Sequence, residues 1–227
     1  MAEEKATRAG TVYAHVREDI FQGVLCPGQR LRLVELARRF TVSQSVVREA
    51  LTRLSAQGLV VATPQQGFSV VPLSLKDLND LTEARVEIEA MVLRLAVARG
   101  DLRWEAAAVA AHHQLGGTPA VLPDGTLSGA WFTVHEHFHR TLLEGCGNDR
   151  LLATAMSLRD AATLYRRWSR PLGHDDDRDV TREHQELLDA VLAREPDRAA
   201  HVLTRHIDRT SAALRAVVED GTGLGSL

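Results

Sequence analysis

The chain carries ten histidines in 227 residues, and three of them crowd into WFTVHEHFHRTLLEGC, residues 131–146. Neutral imidazole is a ligand for zinc, nickel, copper and similar ions, and it is also the commonest general base. On a helix, His135 and His139 stand four apart and share a face, with Phe132, Leu142, Leu143 and Cys146 marking that face as the inward one. His137 lies about 160° away from the line between them and is predicted to face solvent. His184 continues a stripe of Val180, Leu187, Leu188 and Val191, and His206 continues Val202, Leu203 and Ala213. His201 falls off its stripe, while His15, His112, His113 and His174 show no convergence.

Four inward histidines from three helical segments leave two readings. Each could be a core histidine satisfied by a neighbour. Alternatively, one divalent ion could serve a nitrogen of every ring, and a buried nitrogen left unsatisfied costs roughly 1–3 kcal/mol. The convergence predicts a transition-metal site, zinc or nickel foremost, with His135, His139, His184 and His206 as ligands in a bundle core. Catalysis at such a site finds little support: the paired ExxH motifs of di-iron bundles are missing, and Glu136 is predicted to point away from the site. The chain is therefore read as a non-enzyme, with a purely structural metal as the main rival to a sensing one. Arg85 falls on the inward stripe of Leu81, Ile88 and Val92, where a guanidinium requires a carboxylate. Glu89, four residues on, and the carboxylate of a bound effector are both open as that partner.

The elements that position these residues follow from periodicity. From residue 75 onward the pattern is helical throughout, with helices predicted near 75–99, 102–115, 128–146, 148–169, 176–194 and 196–219. The one long irregular stretch is GGTPAVLPDGTLSG. The front of the chain differs. TVYAHVREDIFQGVL has helical spacing, CPGQRL is a turn, LVELARRF is a short helix, and TVSQSVVREALTRLSAQGLV is a longer one with Ser43 as N-cap and Gly58 as stop. LVVAT and FSVVP around PQQG read as a small hairpin. Helix, helix, turn, helix, hairpin is the order of a winged helix-turn-helix. The fold class is mostly α, an N-terminal winged helix-turn-helix plus a C-terminal all-α helical bundle. The domains are placed at 1–73 and 74–220, with 221–227 a disordered tail.

Composition agrees with a soluble globular chain, 44% hydrophobic and 25% charged. No run of about 18 apolar residues is present to span a membrane, and the polar start MAEEKATRAG lacks a secretory h-region. Cys26 and Cys146 form no CxxC pair, which suits a reducing, cytoplasmic setting. The net charge of −3 divides into +3 over residues 1–74 and −6 over the rest, which assigns polyanion contact to the front.

A recognition helix meets base edges with its N-terminal residues. Here these are Ser43, Gln44, Ser45 and Arg48, while Val47, Leu51 and Leu54 hold the helix to its own domain. Glutamine pairs bidentately with adenine, and arginine with guanine or phosphate. Arg30, Arg32, Arg38 and Arg39 could supply phosphate contacts, and Gly67 at the hairpin tip allows close backbone approach; simple solvated helix faces are the plainer reading of Arg38, Arg39 and Arg53. One such helix buries too little for operator affinity, so a homodimer on a palindromic site is predicted.

From Val12 to Val71, with PGQRL, ELARRFTVSQSVVREALTRLSAQGLV and GFSVV, the chain resembles the DNA-binding domain of the GntR family of bacterial transcription regulators. Residues 75 to about 219 resemble the FCD effector-binding domain of its FadR subfamily, in the VanR-like six-helix group. The marks are RxxIE at Arg85–Glu89, FHxxLL at Phe138–Leu143, Gly147-Asn148, EHxxLLDAV at Glu183–Val191, and Arg205-His206. The resemblance implies a ligand-responsive regulator, generally a repressor, whose operator contacts fall on Ser43, Gln44, Ser45, Arg48 and Gly67. It also implies a small carboxylate effector bound at a metal held by one Asp and three His, the latter matching His139, His184 and His206. Three departures stand out: Gln44 replaces the usual Arg, Val46 the usual Pro or Thr, and His135 the usual Asp, where the alternative to an all-histidine set is a water in place of His135.

Overall fold

The structure, a computed structural model, describes residues 7–72, 74–123, 128–168 and 179–219. The expected tail at 221–227, the expected boundary residue 73 and His174 lie outside the described residues.

Helix α1 (Arg8–Phe21) starts at Thr7, whose Oγ1 accepts from the Gly10 N–H at 3.1 Å. Helix α2 (Leu33–Phe40) ends where Thr41 turns into the left-handed region at φ 54°, and α3 (Gln44–Ala56) begins three residues later. Val12, Val16 and Ile20 of α1 and Val47, Leu51 and Leu54 of α3 are almost fully buried against one another. Each such aliphatic side chain contributes about 1.5–3 kcal/mol on burial. Ser43 precedes α3 as predicted, but its hydroxyl bonds to Ser45 Oγ at 2.8 Å rather than capping a backbone N–H.

The predicted two-stranded hairpin is one strand short. Strands β2 (Val60–Thr63) and β3 (Gly67–Val70) pair antiparallel, and a two-residue strand β1 (Arg30–Leu31) adds to the free edge of β3 with Leu31 opposite Phe68. The sequence alternation in PGQRL is too short to show it. Gln65 at φ 62° and Gly67 at φ 92° turn the wing tip.

Six helices follow among the described residues: α4 (Leu75–Arg99), α5 (Leu102–Gly116), α6 (Gly129–Glu144), α7 (Asp149–Trp168), α8 (Val180–Leu192) and α9 (Pro196–Glu219). Side-chain oxygens of Ser74, Asp101, Ser128, Asn148 and Asp179 accept from first-turn N–H groups, so these helix starts are fixed locally. The long α4 packs along α9 and α7, while α5 lies against α6 and α8. Between them runs a core of Val92, Leu93, Ala96, Phe138, Leu142, Leu187, Val191 and Ile207. Trp104 is wedged between Gly100 and Gly145, and its indole N–H donates to the Thr141 carbonyl at 2.7 Å.

Helix α7 has a second allegiance. Leu164, only 1% exposed, belongs to the winged-domain core with Val12 and Val16, whereas Tyr165 next to it packs on Leu78 and Leu81 of α4. Among the described residues, no helix is long and apolar enough to cross a membrane.

Candidate metal centre and nucleic-acid interface

Helix α6 delivers His135 and His139 from one face, α8 delivers His184, and α9 delivers His206. The four side chains are buried, and each offers a nitrogen within 4.8 Å of those of the others. The His139 and His184 Nε2 atoms face each other at 3.3 Å. That spacing matches the ligand–ligand edge of a tetrahedral zinc site, about 3.3 Å for Zn–N bonds of 2.0–2.1 Å. His137, as predicted, is exposed.

The rings are prepared to ligate. Burial, partly offset by a hydrogen bond to the Glu136 carboxylate, pushes the His135 pKa down to about 3, and burial together with Arg159 holds His139 well below the usual imidazole range. Both are therefore neutral, the state a metal requires. His206 Nδ1 lies 2.8 Å from Glu183, which also accepts from Arg209 at 2.9 Å, and His135 Nδ1 lies 3.3 Å from Glu136. A carboxylate on one ring nitrogen fixes the tautomer and leaves the other nitrogen for a ligand. Trp131 stacks on His135 with centroids 4.7 Å apart, holding the plane of that ring. The donor set fits a divalent transition metal.

A mesh of charge adjoins the histidines, and sequence reasoning missed most of it. Arg159 of α7 is 1% exposed; its guanidinium donates to Glu89 at 2.7 Å and to Glu136 at 3.2 Å. Arg166, one face-repeat further along α7, donates to Glu136 at 2.5 Å. Of the two partners open to Arg85, the structure supplies Glu89, at 2.6 Å. The expectation that Glu136 points away from the site is corrected: its backbone position is off the inward face, but its long side chain is drawn across by the two arginines. Burial would raise the Glu136 pKa, yet Arg159 and Arg166 hold it well below the ordinary value. The Nε atoms of Arg159 and Arg166 are buried without a hydrogen-bond partner among the described residues. Only the RxxIE spacing of Arg85 and Glu89 was visible in the sequence, because Arg159 and Arg166 lie 70 or more residues from Glu89.

At the other end of the molecule, Ser43, Gln44, Ser45 and Arg48 are exposed on the first turns of α3. Gly67 is exposed at the wing, and an open cleft between wing and α2 is lined by Arg30, Arg32, Arg38 and Gln66. Arg32 pairs with Glu35 at 3.0 Å while remaining largely exposed, so it can exchange that partner for phosphate. Arg39 is held by Asp19 at 2.5 Å and is the least available of the four front-domain arginines considered for phosphate.

A winged helix-turn-helix with an exposed recognition face, joined to a helical domain with an internal histidine centre, defines a DNA-binding regulator. The chain belongs to the gntR family of bacterial regulatory proteins, whose family model matches residues 8–70, and the FCD domain model matches residues 80–209. It is 35% identical over 198 residues to the HTH-type transcriptional repressor GlaR of Escherichia coli strain K12, covering 86% of this chain and 90% of that protein. It is 33% identical over 214 residues to the uncharacterized HTH-type transcriptional regulator BphR of Paraburkholderia xenovorans strain LB400, covering 89% and 83%. The fold is shared with McbR/YncC of E. coli, at a TM-score of 0.75 and 22% identity over 92% of this chain and 97% of that one. The protein is a transcription regulator and not an enzyme, and some of its relatives are named repressors.

Proposed function

We propose that this regulator is a cytoplasmic homodimeric repressor. It grips a palindromic operator through Ser43, Gln44, Ser45, Arg48, Arg32 and Gly67, and a small carboxylate binding at a divalent metal releases it. His135, His139, His184 and His206 would hold the metal, zinc or nickel. When bound, the ion supplies a Lewis-acidic positive centre for carboxylate oxygens. With His135 where the family has Asp, the set adds no negative charge, so more positive potential remains for an anion.

The observation that carries this reading is the set of buried guanidinium donors beside the four histidines, those of Arg159 and Arg166 foremost. Among the described residues, Arg85, Arg159 and Arg166 share Glu89 and Glu136 as their carboxylates, and two guanidinium Nε atoms have no acceptor. Buried charge and buried donors demand compensation. A di-anionic organic acid would provide it, one carboxylate toward the metal and another toward Arg159. Arg85 serves this arrangement by fixing Glu89, which in turn aims Arg159. The tight space among Glu89, His139, Arg159 and Leu203 has no room for a water-sized sphere. Entry of an effector therefore requires these arms to move, which links binding to a change of helix packing.

Elemental analysis of protein purified without chelator, followed by zinc and nickel titration calorimetry, tests the metal. One ion per chain is expected, with at least a tenfold loss of affinity in His139→Ala and His184→Ala. A panel of mono-, di- and tricarboxylates is then screened by thermal shift on metal-loaded and chelator-treated protein. Stabilisation confined to the loaded form supports sensing. Metal binding with no anion response would leave a structural ion, and unchanged affinity in both histidine variants would refute the site.

A further inference from the structure

Two turns of α7, residues 159–166, touch three parts of the molecule at once. Arg159 and Arg166, seven apart on one face, reach Glu89 and Glu136 beside the histidines. Asp160 and Leu164, four apart on another face, reach the winged domain. The Asp160 carboxylate accepts from Arg17 of α1 at 3.1 Å, and Leu164 is buried in the winged-domain core. Tyr165 donates to Asp77 at 2.6 Å, at the start of α4 just beyond the wing.

Helix α1 is in turn the support of the recognition helix. The Tyr13 hydroxyl donates to Gln57 at the end of α3 at 2.7 Å, and the Arg53 guanidinium lies over the Tyr13 ring at 4.5 Å. Arg17 itself lies over the Phe21 ring at 4.3 Å, so the residue that meets α7 is also held by the α1 side of the core. Three successive contacts thus connect Glu136, which lies against His135, to α3.

We infer that α7 is the lever by which occupancy of the histidine centre reaches the DNA-binding domain, and that Asp160 and Leu164 are its positioning residues on α1. The inference rests on the proposed metal reading and adds the route. A ligand that rearranges the acceptors shared by Arg159 and Arg166 must shift or rotate α7, since those two side chains are anchored on it one face-repeat apart. Because Leu164 is locked into a close-packed core, α7 cannot move without carrying α1 or breaking that seat. Coupling of this kind needs an element with two arrangements that both sites bias, and α7 has a grip on each side.

The test is amide hydrogen exchange on the full-length protein, with and without zinc, in wild type, Asp160→Asn and Leu164→Ala. Calorimetry first establishes zinc binding in each. In wild type, zinc is expected to change exchange in residues 8–21 by at least threefold, as well as around α6, α8 and α9. In Asp160→Asn the response of 8–21 should fall by half or more while the response around the histidines persists; Leu164→Ala, if folded, should abolish it. Such a selective loss is not what a merely structural contact would give. The inference is overturned if zinc binds and residues 8–21 do not respond, or if they respond equally in Asp160→Asn. If wild type binds no zinc, the metal reading fails first and takes the lever with it, an outcome distinct from the other two.

Discussion

Glu89→Gln is the most informative single change in the helical domain. Glu89 is fully buried between two arginines, accepting from Arg85 at 2.6 Å and from Arg159 at 2.7 Å. A carboxamide keeps the shape and one acceptor oxygen but turns an NH2 toward one guanidinium and removes the charge from both. Arg159 retains Glu136, whereas Glu89 is the only ion-pair partner of Arg85 among the described residues. Removing one partner of a buried ion pair costs about 3–5 kcal/mol, a large share of a typical domain stability of roughly 5–15 kcal/mol. Glu136→Gln serves as the control. Its side chain is 23% exposed, so solvent screens the loss and about 1–2 kcal/mol is expected. Urea unfolding followed by Trp104 and Trp131 fluorescence gives both values. The pH dependence has a definite sign. Burial would raise the Glu89 pKa, but Arg85 and Arg159 override it and hold it below the ordinary value. A depressed folded pKa gives stabilisation that is complete above the unfolded value of about 4.3 and is lost as pH falls through the folded value. The gap between wild type and Glu89→Gln should therefore be constant from neutral pH to about 5 and narrow below about 4.3. A Glu89→Gln penalty under about 1 kcal/mol at neutral pH, or one smaller than that of Glu136→Gln, would refute the reasoning.

Gly145→Ala should cost about 1–3 kcal/mol, since an added Cβ would sit 2.6 Å from the Trp104 ring, whereas Gly116→Ala, with open space around it at the end of α5, should be neutral or slightly stabilising; thermal melts compare them. Gln44→Arg should shift the preferred operator base at one position from adenine toward guanine in a binding selection, and an unchanged preference would mean that Gln44 does not read that base. Chelator treatment should lower the melting temperature of the wild type and leave that of His139→Ala/His184→Ala unmoved, because on the proposed reading only the former would carry metal to lose.

The elements were legible because nearly every helix carries a continuous apolar stripe. The six back-domain helices were placed to within a few residues for that reason, and His135, His139, His184 and His206 were found together because each lies on such a stripe. Two kinds of feature escaped. Strand β1 is only Arg30–Leu31, too short for any alternation. The charge mesh joins α4, α6 and α7 through contacts of high sequence separation, and helical periodicity says nothing about which arginine meets which glutamate. Glu136 shows the difference between a Cα position and a side-chain end: the wheel placed it off the inward face, and electrostatics pulled the carboxylate back. Leu164 was simply another apolar residue of α7 in the sequence; that it packs in the other domain depends on where the helix ends up.

The cost of the interior argues for its use. Three arginines and two glutamates beside four histidines could be replaced by aliphatic residues of similar volume, and such replacement of buried ion pairs is often neutral or stabilising by 1–4 kcal/mol. A fold shaped by stability alone has no call for Arg159 at 1% exposure, nor for two guanidinium nitrogens without acceptors. What the mesh provides instead is a set of buried charges with interchangeable partners: Glu136 is shared by Arg159, Arg166 and His135, and Glu89 by Arg85 and Arg159. A close-packed aliphatic core has one low-energy arrangement and nothing for an anion to compete for. A shared-acceptor mesh can exchange one carboxylate for another, and an incoming organic anion is chemically the same kind of acceptor as the glutamates already there. Because α7 holds both arginines and seats Leu164 among the winged-domain residues, an exchange of partners inside one domain would act on the position of the other.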